Sequence, residues 1–70
     1  MQMIPVSSSN LAAIGYDHQK AILRIQFIKS GTYDYQNVPL HVFEELMSAL
    51  SKGQYFDRYV KNGGYSFSKA

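Results

Sequence analysis

The chain is predicted to be an α+β domain: a three-stranded antiparallel meander packed on one main helix, followed by a short second helix and a tail. Three observations predict it. Apolar residues alternate through the first half, the period lengthens after Pro39, and turn-forming residues separate the segments.

Residues 1–9 read as an extended leader, because Pro5 disfavours helix and Ser7-Ser8-Ser9-Asn10 favours local side-chain bonds to backbone. The first strand is residues 11–17, with Ala12, Ile14 and Tyr16 on one face. Asp17-His18-Gln19-Lys20 has hairpin length. Residues 21–29 give the clearest strand, with Leu23, Ile25 and Phe27 on one face and Arg24 and Gln26 on the other. After a turn at Ser30-Gly31, residues 32–36 form the third strand.

Pro39 suits the first turn of a helix, and Phe43, Leu46, Met47 and Leu50 then follow as one apolar stripe. Gly53 is the expected end of that helix. Phe56, Tyr59 and Val60 repeat the helical spacing over one more turn, which Asn62-Gly63-Gly64 stops. The core therefore takes Phe56, Tyr59 and Val60, while Tyr55, Arg58 and Lys61 fall on another side of the turn.

The 70 residues suffice for a single domain, and so short a chain buries only about 60% of its unfolded surface. It has no cysteine for a disulfide, so association into a homo-oligomer is one way to gain stability. The net charge of +2 is unevenly placed. Lys20, Arg24 and Lys29 are outweighed by Asp17, Asp34, Glu44 and Glu45 in the first 50 residues. In the last 20, Lys52, Arg58, Lys61 and Lys69 face Asp57 alone. That basic end favours an anionic partner but falls short of a duplex-DNA stripe. No apolar run reaches the roughly 20 residues of a membrane span, and Met1-Gln2-Met3-Ile4-Pro5 lacks signal-peptide character, so a cytoplasmic protein without membrane contact is expected.

Tyr33 and Tyr35 share a face of the third strand, and the preceding loop decides which face. A two-residue loop joins both to Arg24 on an open aromatic, basic platform. A three-residue loop, Lys29-Ser30-Gly31, sets Phe27 opposite Tyr33 and Ile25 opposite Tyr35 and places both tyrosines under the helix.

Taken in order, Ser8-Ser9-Asn10, Ile14-Gly15-Tyr16, Tyr33-Asp34-Tyr35, Val38-Pro39 and Ser51-Lys52-Gly53-Gln54-Tyr55-Phe56 resemble the KTSC domain. This short bacterial and phage module occurs alone or at the C-terminus of some lysyl-tRNA synthetases. The resemblance covers nearly the whole chain and implies RNA binding through the synthetase connection. The family's end is often more basic and carries Tyr-Pro-Tyr, whereas this chain has Asn62-Gly63-Gly64-Tyr65-Ser66-Phe67.

His18 falls in a turn and His41 early in the helix, too far apart in sequence to predict a catalytic pair or a metal site, and no phosphate loop or nucleophile elbow is present. A non-enzyme without cofactor or metal is expected. The chain has six tyrosines and four phenylalanines. Of these, Tyr55, Phe56, Tyr59 and Tyr65 interleave with Lys52, Arg58 and Lys61, an arrangement in which rings stack on bases and cations meet phosphate. The expected ligand-binding residues are Arg24, Tyr33, Tyr35, Lys52, Tyr55, Arg58 and Lys61. Three readings follow: a non-catalytic module that binds nucleic acid, foremost RNA; an oligomer that captures a nucleotide-like anion at a subunit interface; and a protein-interaction module.

Overall fold

The computed structural model describes all 70 residues and has five strands where the sequence predicts three. Strand β1 is Ile4–Pro5, β2 Leu11–Asp17, β3 Ile22–Phe27, β4 Gly31–Tyr35 and β5 Phe67–Lys69. All pair antiparallel in the order β1-β2-β3-β4-β5. Between β4 and β5 the chain forms helix α1 (Leu40–Ser48), helix α2 (Lys52–Tyr55) and a π-helical turn at Phe56–Lys61. The predicted meander is thus the centre of the sheet. The two additional strands are short edges, one of them containing Pro5, whose missing N–H is tolerated there.

A bulge at Ala12 corrects the predicted face of β2. Leu11 lies opposite Phe27 but Ala13 opposite Gln26, so Leu11 joins Ile14 and Tyr16 on the core face and Ala12 does not. Asp17 Oδ1 accepts the backbone N–H groups of Gln19 (2.9 Å) and Lys20 (3.1 Å), closing the β2–β3 turn. The serine cluster is equally local: Ser8 Oγ accepts from the N–H of Leu11 at 3.3 Å. On the face away from the helices a Cβ on Gly15 would sit 2.6 Å from Met3 Sδ, so glycine there lets the N-terminal run lie across the sheet.

The β3–β4 register puts Ile25 opposite Tyr33 and Leu23 opposite Tyr35. This is the face that the three-residue loop predicts, but the loop lies one residue earlier, at Ile28-Lys29-Ser30 with Gly31 (φ +94°) paired to Phe27. Each tyrosine therefore meets the β3 residue two before the expected one. Tyr35 is buried and Tyr33 half-buried on the core face, so the open platform with Arg24 does not form.

Helix α1 covers that core face through Val42 and Leu46, with Phe43 and Met47 half-buried beside them. Leu50, the predicted end of the stripe, is fully exposed. The helix stops at Ser48, the backbone turns extended at Ala49, and Ser51 caps α2 by accepting the Gln54 N–H at 3.3 Å. Gly53 lies inside α2 and does not end α1. A Cβ at this position would fall 2.7 Å from Asn10 Oδ1, so the Asn10 side chain would have to shift to admit one. Tyr16 ties the layers together: its ring stacks on Phe43 at 5.1 Å and its hydroxyl donates to the Val38 carbonyl. No helix is long and apolar enough to cross a membrane.

Candidate functional site

The stretch Tyr55-Phe56-Asp57-Arg58-Tyr59-Val60-Lys61 sets the geometry of the site. At α-helical spacing Phe56, Tyr59 and Val60 form one stripe, as the sequence predicts. The π turn is wider, and it buries Phe56 and Val60 while Tyr59 turns outward, 49% exposed. The turn closes through the Asn62 N–H to the Asp57 carbonyl at 3.3 Å, and Asn62 Nδ2 donates to the same oxygen at 2.8 Å. Gly63 then passes so close that a Cβ would sit 2.4 Å from the Tyr59 carbonyl oxygen.

Turned out of the core, Tyr59 packs on Tyr55 with ring centroids 4.6 Å apart. The Tyr55 hydroxyl donates to Glu45 Oε1 at 2.7 Å, which fixes the ring against α1. Burial, then the bond to Glu45, pushes the Tyr55 hydroxyl pKa up to about 12. A groove of about 670 Å³ opens between these rings and the end of α1, lined by Leu50, Gln54, Tyr55, Arg58 and Tyr59. A second groove, about 350 Å³, lies on the other side of the π turn. Phe27, Tyr33, Tyr35, Phe56 and Phe67 form its apolar wall, and Lys61 stands among its polar residues. Arg58 and Lys61 are exposed and form no ion pair.

The structure thus gathers Tyr55, Arg58 and Lys61 around the π turn, and brings Tyr33 and Tyr35 to the second groove beside Lys61. It does not bring Arg24 or Lys52 there. Arg24 stands on the opposite face of the sheet, bound to its cross-strand neighbour Asp34 through Nε–Oδ1 at 2.7 Å and Nη2–Oδ2 at 2.9 Å. That pairing holds the guanidinium pKa above its ordinary value. Lys52 Nζ donates to the Ala49 carbonyl at 3.1 Å, satisfying backbone left open beyond the end of α1.

Among the lining residues that the sequence does not predict for the site, Tyr59, Asp57 and Phe67 bring an exposed ring or a charge to the grooves. Phe67 packs on Tyr35 at 5.4 Å and remains 61% exposed. Its signal is the alternation Tyr65-Ser66-Phe67-Ser68-Lys69, which has the period of a strand. Neither histidine enters a groove: His18 packs edge-on to Tyr16 at 5.1 Å, and His41 is exposed on α1. No three His, Asp or Glu side chains converge where a metal ion would sit.

The family profile of the KTSC domain matches residues 7–65 of this framework. The chain belongs to the KTSC domain family. A KTSC domain protein from Yersinia pestis, known from a crystal structure, has the same fold with a TM-score of 0.92. It is 45% identical, and the match covers 99% of this chain and 96% of that one. A protein of Tsukamurella paurometabola is 42% identical over 59 residues, 84% of this chain and 88% of the relative. A lysine–tRNA ligase of a Nostoc species is 37% identical over 59 residues, 84% of this chain but 10% of the ligase, so the KTSC domain matches only a small segment of that enzyme.

Proposed function

We propose that this KTSC domain is a non-catalytic module that binds single-stranded RNA across the π turn. The observation that carries the reading is the exposed Tyr59 ring, packed on half-buried Tyr55 and flanked by two cations without counterions, Arg58 and Lys61. An exposed ring offers a sequence-tolerant surface for bases, and free cations next to it meet phosphate. The matching segment in lysine–tRNA ligases supports an RNA partner, since those enzymes are named for acting on tRNA. Arg24 and Lys52 are left out of the proposed RNA surface, because each already serves a carboxylate or a carbonyl within the domain.

The test is fluorescence anisotropy with a labelled single-stranded RNA over a salt series. The double substitution Arg58→Ala with Lys61→Ala is expected to weaken binding by about tenfold or more. It should also flatten the salt slope by about 1.4, at about 0.7 for each phosphate that is no longer neutralised. Unchanged affinity and slope would remove the site from this surface.

A second reading, capture of a nucleotide-like anion between subunits of a homo-oligomer, is supported by Leu50, which stands fully exposed at the rim of the larger groove where an interface would cover it. It predicts a discrete oligomer with a fixed ligand mass in native mass spectrometry. If neither nucleic acid nor nucleotide binds, a protein partner for the same exposed residues is the reading that remains.

A further inference from the structure

We infer that Asp57 selects guanine at the point where an RNA strand crosses the π turn, an inference that rests on the nucleic-acid reading above. The two grooves lie on either side of that turn, and Asp57 is the one residue that lines both. Each groove also pairs an exposed aromatic ring with a free cation: Tyr59 with Arg58 in the larger, Phe67 with Lys61 in the smaller. A strand laid from one groove into the other stacks on a ring at each end and passes Asp57 between them.

Asp57 is the only carboxylate lining either groove. Its side chain is exposed and has neither a hydrogen bond nor an ion pair, while its backbone carbonyl is occupied by Asn62. On a surface that receives phosphates, an unpaired carboxylate repels the ligand unless the ligand offers donors at that point. Bases differ in what they offer. Guanine presents N1–H and the N2 amino group side by side, matching the two oxygens of one carboxylate. Adenine and cytosine present a single amino group next to an acceptor nitrogen, and uracil a single N–H between two carbonyls. A carboxylate at the crossing therefore attracts guanine and disfavours uracil.

The experiment compares short labelled oligouridines carrying one central guanosine, adenosine, cytidine or uridine, against the native chain and the Asp57→Ala variant. The exposed, unpartnered side chain makes this variant compatible with the fold, and circular dichroism checks it. The native chain is expected to bind the guanosine oligomer about tenfold more tightly than oligouridine, in line with one bidentate base contact. In Asp57→Ala the preference should vanish while oligouridine binds more tightly, because a negative charge has left the track. A guanosine preference that survives in Asp57→Ala overturns the assignment. So does a native chain that binds all four oligomers alike with the usual salt dependence, in which case RNA binding stands and the selection falls. Failure of all four to bind at low salt overturns both.

Discussion

Arg24 and Arg58 are both arginines on the surface of one small domain, yet they have opposite fates. Arg24 stands in β3 directly across from Asp34 in β4, and strand register delivers a carboxylate to its two nitrogens at 2.7 and 2.9 Å. Arg58 stands on the π turn, where no neighbouring strand exists to supply a partner, and with Lys61 it remains free. Sheet geometry pairs side chains two by two across the ladder, whereas a lone wide turn does not. A cation inside a sheet is therefore most often used up by the fold. One carried on an irregular turn is available to a ligand.

Both regions depend on α1, which covers the sheet and supplies the Glu45 acceptor that fixes Tyr55. Leu46 is fully buried at the centre of that cover. Leu46→Ala is expected to cost about 2–5 kcal/mol of stability, measured by denaturant unfolding. A loss well under 1 kcal/mol would mean that the helix is not what holds the two regions together.

The next effect separates the two arginines. The Arg24 and Asp34 side chains are 36% and 16% exposed, so Arg24→Ala should lower stability by up to about 1 kcal/mol while leaving RNA affinity unchanged. Arg58→Ala with Lys61→Ala should do the reverse, leaving the melting temperature where it is. A loss of RNA affinity in Arg24→Ala would mean that the open face of the sheet takes part in binding.

Sequence alone made the inner strands legible, because Leu23, Ile25 and Phe27 alternate cleanly and a single polar connection precedes them. It also made the family legible, and it singled out Arg58 and Lys61, which the structure leaves unpaired, as candidate cations. Other features depend on competition between local signals. Leu50 continues the helical period, but Ser51 starts a new helix and throws it into solvent. Tyr59 has core spacing only if the turn is α-helical; the wider π turn sends it outward. The fate of Arg24 turned on loop length, since only the register reveals that Asp34 lies opposite. Strand β1 is too short to show a period of its own, and the brief alternation around β5 becomes a strand only against the longer neighbour it pairs with.

The smallest expected effect probes the link between Tyr55 and α1. In the folded chain the Tyr55 hydroxyl keeps its proton to about 12, against an ordinary 10.0, because its half-buried setting and the Glu45 carboxylate both oppose a phenolate. Its folded pKa is raised, so its stabilising contribution is fully present below pH 10 and is lost as the pH rises towards 12, where the unfolded chain gives up the proton first. Tyr16 and Tyr35 are shifted the same way by burial, so the native domain should soften over the alkaline range through all three. Tyr55→Phe removes one of the three titrations. Its melting temperature should therefore fall less steeply with alkaline pH than that of the native chain. Parallel slopes would mean that Glu45 does not hold the ring, leaving the Tyr55–Tyr59 pair on the π turn without support from α1.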